Sequence, residues 1–237
     1  MVYQRLRRIQ HLLFASSCIA CGERGNTALL DLCGPCRAEL PLNRRCCQVC
    51  AIPLQLDAVA LCGECLQRTP RYRRSYCAYE YAYPIPHFVR ALKYQNSLSQ
   101  ARVLGELLAH YLLQQHTEPW PACFIPVPLS TTRHRERGYN QVLELGRFVE
   151  RKLKIPMHTQ WITRVRDTAE QAGLSRRERR KNLRDAFVVD QDAIPQHVAI
   201  LDDVVTTGST VNEVARVLQR AGVEHIEVWA VARAALR

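Results

Sequence analysis

Residues 198–210 read Val198-Ala199-Ile200-Leu201-Asp202-Asp203-Val204-Val205-Thr206-Thr207-Gly208-Ser209-Thr210. The first four are too short and too uniformly apolar a run for a helix, and they predict a central strand buried on both faces. Asp202 and Asp203 then emerge at the carboxyl end of that strand. Two adjacent carboxylates repel each other and gain little from packing there, so the pair suits the hydroxyl donors of a sugar diol, a magnesium ion, or both. Thr206, Thr207, Gly208, Ser209 and Thr210 lead into a helix whose first amides lack intrahelical partners and whose dipole is positive at that end. Backbone N–H groups and hydroxyls together match a phosphate dianion, and Gly208 lets the chain close around it. The plainer alternative is a helix capped by Ser209 or Thr210 after a polar loop. Neither G-x-x-x-x-G-K-S/T nor G-x-G-x-x-G occurs, which argues against an ordinary nucleotide triphosphatase or a dinucleotide fold.

On either side of this stretch, apolar runs alternate with segments of helical period from Tyr76 onward, the pattern of an α/β domain with an open parallel sheet. Strands are expected at residues 77–81, 123–127, 158–162, 187–189, 198–201 and 226–232. Helices are expected at 85–94, 99–115, 140–152, 176–183 and 210–219. Ligands of such sheets bind beyond the carboxyl ends of the strands, where residues 202–210 fall.

The first 70 residues carry a repeat. Cys18-x-x-Cys21 is followed after eleven residues by Cys33-x-x-Cys36, and the same spacing recurs at Cys47, Cys50, Cys62 and Cys65 with an offset of 29. Four thiolates from two C-x-x-C turns are the ligand set of a structural zinc ribbon, with no coordination position left to activate water. A disulfide framework is disfavoured in a cytosolic chain. Sequential pairing follows from the repeat, an interleaved pairing uses the same eight residues, and the count of one or two zinc ions stays open. Cys77 and Cys123 read as small core residues. Because ribbons are short of core, zinc loss is expected to unfold residues 16 to about 70 first. The organisation expected is an amphipathic helix over 1–15, a double zinc ribbon over 16–70, and the α/β domain over 71–237, joined by the basic, proline-containing stretch 68–74.

The formal charge is +11, most of it from arginine, which suits phosphates and carboxylates. Two zinc ions held by eight thiolates would lower it to +7, so nucleic-acid binding is allowed but not implied. No apolar run approaches the roughly 18 residues of a membrane span, and the short apolar stretch after Arg5, Arg7 and Arg8 is not a secretory leader. A cytoplasmic protein without stable membrane insertion is expected.

The string of residues 198–210 closely resembles the phosphoribosyl pyrophosphate signature of type I phosphoribosyltransferases. Residues 125–146, IPVPLSTTRHRERGYNQVLELG, and the series Arg164-x-Arg166-x-Thr168-x-x-Gln171-x-x-Leu174-Ser175-x-x-Glu178-Arg179 narrow the resemblance to ComF/GntX-like proteins. Those proteins carry a cysteine-rich zinc module before a phosphoribosyltransferase domain, so the resemblance covers nearly the whole chain. It implies a parallel-sheet, type I phosphoribosyltransferase-like fold and a role in natural competence or the handling of imported DNA, with competence-machinery proteins as partners. By resemblance, Asp202 and Asp203 hold the ribose hydroxyls and Thr206–Thr210 the 5-phosphate.

Ser130, Arg133 and Arg137 lie after a strand end and before Gly138, where pyrophosphate is their natural partner; a solvated loop is the plainer reading. Ser175-x-x-Glu178 forms a capping box. In the same interval phosphoribosyltransferases carry a mobile loop that closes over substrate, a role suited to Arg164, Gln171 and Arg179. Two functions follow. One is Mg²⁺-dependent displacement of pyrophosphate from phosphoribosyl pyrophosphate by a nitrogen nucleophile. The other is a non-catalytic module that senses a nucleotide or holds single-stranded DNA, with Tyr72, Tyr76, Tyr79, Tyr81 and Tyr83 as stacking candidates that fit a strand equally well. The chain ends shortly after its last strand, so any hood over the base is expected from residues 77–100, where Lys93 and Tyr94 are candidates.

Overall fold

The computed structural model describes residues 17–23, 31–55, 60–95, 97–166, 182–191 and 193–235. Expectations for the 1–15 helix, Thr168, Gln171, the capping box Ser175 and Glu178, and Arg179 lie outside them.

After the ribbon helices α1 (Gly34–Ala38) and α2 (Gly63–Gln67), the chain runs β1 (Arg74–Glu80), α3 (Ile85–Tyr94), α4 (Leu98–Gln115), β2 (Cys123–Pro126), α5 (Thr131–Arg137) and α6 (Gln141–Leu153). Then follow β3 (Ile162–Arg164), β4 (Phe187–Val189), β5 (His197–Val205), α7 (Ser209–Arg220) and β6 (His225–Arg233). Four strands form a parallel sheet in the order β1-β6-β5-β2, while β3 and β4 pair antiparallel as a separate ribbon. The central strand β5 outruns its apolar core, because pairing with β6 extends through Asp202 to Val205.

One face of the sheet packs Trp229, Leu201 and Phe124 against α3, α4 and α6; the other packs Ile200, Val228 and Ala230 against α7. Helices α4 and α6 approach so closely that a Cβ on Gly105 would lie 2.7 Å from the Leu145 carbonyl oxygen and 2.8 Å from Phe148 Cβ. Gly105→Ala is therefore expected to destabilise the chain by about 1–3 kcal/mol through overpacking, although alanine is the better helix former by about 1 kcal/mol. A thermal midpoint at or above wild type would show that the helices can part freely.

One expectation is corrected. The 158–162 strand is displaced: Met157 bridges Phe124 in parallel and the His158 amide bonds the Phe124 carbonyl, after which the chain bends and β3 begins at Ile162. The arginine block forms a helix, so the plainer alternative of a solvated loop does not describe it. Ser130 caps α5 by accepting the Arg133 amide at 3.3 Å, and Gly138 ends it at φ 73°, the left-handed stop that glycine takes without strain. Tyr72, Tyr76 and Tyr79 are buried in the core, which leaves only Tyr81 and Tyr83 exposed from the tyrosine series.

The ribbons are docked on the sheet domain. Cys18, Leu32 and Leu40 share a core with Phe88, Leu104 and Leu108, and Asp31 pairs with Arg102 of α4. Ala51 shares the opposite core with Cys77 and Val228. Leu42 bridges Tyr79 antiparallel, with the Asn43 amide on the Ala78 carbonyl and the Glu80 amide on the Pro41 carbonyl, so part of the β1 edge is covered. Among the described residues no helix is long and apolar enough to cross a membrane.

Candidate phosphate loop and zinc sites

The eight cysteines form two separate clusters, Cys18, Cys21, Cys33 and Cys36, and Cys47, Cys50, Cys62 and Cys65, each with its sulfurs within 4.8 Å of one another. The pairing is therefore sequential. A zinc ion with Zn–S bonds near 2.3 Å sets sulfurs about 3.8 Å apart, and Cys21–Cys33 and Cys50–Cys62 stand at 3.8 and 3.6 Å. Both clusters repeat one device: the amide of the third cysteine donates to the first sulfur at 3.4 Å. Burial raises the Cys18 thiol, but the amides of Cys33, Cys21 and Ala20 outweigh it and bring it down to about 6. Cys47 comes down to about 7 against the same burial, through the amides of Cys50, Cys62 and Val49. Burial instead pushes Cys50 up to about 11, so full deprotonation of either cluster is coupled to binding the cation. The donor set fits structural zinc at both sites. Cys46 stands outside the second cluster, and Cys77 and Cys123 are buried in strands.

At the carboxyl end of β5 the chain enters α7 through Gly208, which sits at φ 72° as the helix N-cap without a side-chain cap bond. Thr206 is exposed, Thr207 and Thr210 are partly exposed, and Ser209 is buried. Thr207 Oγ1 donates to Ser209 Oγ at 2.9 Å and accepts the Ser209 amide at 3.3 Å. Neither Ser209 nor Thr210 is the N-cap; the first helical amide, that of Ser209, is met by Thr207 instead.

The two acids are not equivalent. Asp203 is buried; its Oδ2 receives Lys93 Nζ at 2.8 Å and Gln141 Nε2 at 3.1 Å, and its Oδ1 receives the Val204 amide at 2.8 Å. Burial pushes its pKa up, but Lys93 and then Gln141 and the Val204 amide hold it below the usual carboxylate value. Asp202 is partly exposed and accepts the Asp203 amide at 2.8 Å. Burial, and next the Asp203 charge, raise its pKa well above the ordinary value. One carboxylate is thus kept ionised while its neighbour resists ionisation.

Lys93, the last residue but one of α3, acquires a definite place by this geometry. Tyr94 beside it is 72% exposed, and the Arg137 guanidinium lies over its ring at 5.5 Å. Arg137 Nη1 and Gln141 Oε1 are buried without a partner among the described residues. Arg137, Lys93, Asp203 and Gln141 therefore gather at one end of the sheet. Ser130 spends its hydroxyl on the α5 cap, and Arg133 is partly exposed on that helix. Arg164 lies in the β3–β4 ribbon, stacked over Phe187 at 5.6 Å, with its Nε donating to the Arg166 carbonyl.

Reasoning from sequence missed Gln141 and Arg233. Arg233 is 1% exposed at the end of β6. Its one signal was a cation closing the apolar run Val228–Ala232, which requires buried acceptors.

These features define a class: a double zinc ribbon docked on a parallel α/β domain that ends its central strand in an acid pair and an uncapped, glycine-led helix. A family model described as a double zinc ribbon domain matches residues 9–66. Competence protein F of Haemophilus influenzae is 37% identical over 93% of this chain and 98% of its own length. DNA utilization protein YhgH of Escherichia coli K12 is 34% identical over 85% of this chain and 90% of its own, and Competence protein ComFC of Streptococcus pneumoniae is 26% identical over 55% and 57%. The chain belongs to the Competence protein F (ComF) family. A solved structure entitled allosteric regulatory enzyme of purine biosynthesis aligns at TM-score 0.35 and 18% identity, over 55% of this chain and 25% of that one, too slight a likeness to carry weight.

Proposed function

We propose that the protein binds a 5-phosphorylated ribose, phosphoribosyl pyrophosphate or a nucleotide, at the end of β5, and serves the handling of imported DNA. The relatives named for competence and for DNA utilization support the second part. The observation that carries the first is the turn at Gly208, where an uncapped helix start follows an acid pair at the carboxyl end of a central parallel strand. The 5-phosphate takes the amides and hydroxyls of Thr206–Thr210. Asp202, the more exposed acid, accepts a ribose hydroxyl, while Asp203 organises Lys93 and Gln141 around it. Arg137 meets the pyrophosphate, with Arg133 and Ser130 on the same helix. Asp203 is already bonded at both oxygens and is a poor magnesium ligand in this arrangement; magnesium entering with the substrate would be held by phosphate oxygens. Transfer to a nitrogen nucleophile, with pyrophosphate as leaving group, extends this reading. Arg164, Gln171 and Arg179 would then act as the closing segment.

Calorimetric titration separates the parts. Asp202→Asn is expected to weaken phosphoribosyl pyrophosphate by roughly two- to tenfold, the worth of one hydrogen bond, and to leave inorganic phosphate unchanged. Its thermal midpoint should not fall, because burial disfavours the charged form of Asp202. Absence of binding by phosphoribosyl pyrophosphate and nucleoside monophosphates alike, with and without magnesium, would remove the proposal. Release of pyrophosphate in the presence of candidate amines reads the transfer step.

A further inference from the structure

The mechanism just outlined uses the phosphate loop but neither the second ribbon nor Arg233, yet these three are joined. Arg233 Nε donates to the Cys50 carbonyl at 2.8 Å. Its Nη1 reaches the carbonyls of Val205 at 3.1 Å, Ala234 at 2.8 Å and Thr206. A buried guanidinium thus holds one end of the second Cys-x-x-Cys turn and the first residue of the phosphate loop with a single rigid group. The Ala234 amide adds a bond to the Val205 carbonyl at 3.0 Å.

The segment after the ribbon makes a second, independent link. The Arg71 amide donates to Asn212 Oδ1 of α7 at 2.8 Å, and a Cβ on Gly208 would meet Tyr72 Oη at 3.5 Å. Between ribbon and loop lies a cleft of about 380 Å³, walled on one side by Glu64, Cys65 and Arg68 and on the other by Thr207, Gly208 and Ser209. Among the described residues the first ribbon makes no such link: Cys18, Cys33 and Cys36 pack with the core that contains α3 and α4.

We infer that Arg233 is a positioning residue that couples the second zinc site to the phosphate loop, so that zinc at Cys47, Cys50, Cys62 and Cys65 and a sugar phosphate at Thr206–Thr210 stabilise each other. The physical reason is linkage. Zinc fixes the Cys47–Cys50 turn and with it the Cys50 carbonyl, which orients Arg233. The oriented guanidinium holds the Val205 and Thr206 carbonyls, and thereby the peptide planes that must present their amides to the anion. Free energy exchanged in this way is reciprocal, so the ligand must tighten zinc by the same factor that zinc tightens the ligand.

This inference rests on the sugar-phosphate reading, and one experiment separates the two. Amide hydrogen exchange on the zinc-loaded chain is followed with phosphoribosyl pyrophosphate and with inorganic phosphate, and zinc release to a colorimetric chelator is timed under the same conditions. In the wild type the ligand should protect residues 205–210 and also 46–54, and the slower zinc-release phase should lengthen by roughly tenfold, within the usual range of coupling. In Arg233→Gln the loop should still gain some protection but the ribbon none, and Arg233→Lys should fall between. A residue that merely fills space would not make ribbon protection depend on ligand. If the ligand protects 205–210 in the wild type while 46–54 and zinc release stay unchanged, the coupling is wrong and the sugar-phosphate site stands. If no ligand protects 205–210, both fall. The wild-type measurement decides the matter even if an Arg233 variant does not fold.

Discussion

Stripping zinc from the intact chain is expected to destabilise the parallel sheet domain along with the ribbons, and not to release residues 16–70 as a separate unit. The reason lies in shared cores. Leu32 and Leu40 pack with Phe88 and Leu104 on one face of the sheet, and Ala51 packs with Cys77 and Val228 on the other. Residues 41–43 pair with the β1 edge, and Arg233 reaches across to Cys50. Structural zinc contributes about 10–16 kcal/mol in zinc-finger peptides, as much as the whole stability of a domain, about 5–15 kcal/mol. If even about 5 kcal/mol of this is transmitted to the sheet, the midpoint of a chain this size falls by roughly 10–20 °C. Circular dichroism during chelation, with metal stoichiometry measured alongside, gives the shift. Unchanged amide protection of β5 and β6 in the zinc-free chain would instead mean that the ribbons fold alone.

Asp203→Leu should lose about 3–5 kcal/mol, because it leaves the Lys93 ammonium desolvated without its carboxylate. Their side chains are 6% and 23% exposed at a separation of 2.8 Å, so screening removes little. Lys93→Met combined with Asp203→Leu should recover most of that loss, since replacing both partners leaves no orphaned charge. The pH dependence has a definite sign. The folded-state pKa of Asp203 lies below the ordinary aspartate value of 3.8, so its contribution is present above that value and is lost as pH falls through the folded pKa. Lys93 is raised above 10.5: burial lowers it, but the Asp203 charge and hydrogen bond prevail, so its share persists below 10.5 and is lost as pH rises through the folded pKa. Urea unfolding taken from pH 7 down through the acid range reads the Asp203 share, and taken from pH 7 up past about pH 11 reads the Lys93 share. A double variant no more stable than Asp203→Leu would show that the loss comes from packing or from Gln141 and not from the stranded charge.

Much of the architecture was legible because its signals are local. The Ile85–Tyr94 helix, the β4 strand, the cysteine repeat and the strand-to-helix passage at Gly208 each depend on residues near in sequence. The helix at Thr131–Arg137 was not legible, because its cap at Ser130 and stop at Gly138 enclose only seven residues with no buried face. The tyrosine series was ambiguous for another reason: alternation with basic residues suits a nucleic-acid surface and a buried strand equally, and only packing showed three of the five buried.

By itself the sequence determined where the thiolates, the acid pair and the candidate phosphate loop stand along the chain, since spacing, strand period and turn chemistry act over a few residues. Only the tertiary structure decided that Lys93 and Gln141 converge on Asp203, that the two carboxyls are pushed in opposite directions from the ordinary value, and that Arg233 ties the second ribbon to the loop. These contacts span 27 to 183 residues of chain, and the parallel sheet brings them together by aligning the carboxyl ends of strands that are far apart in sequence.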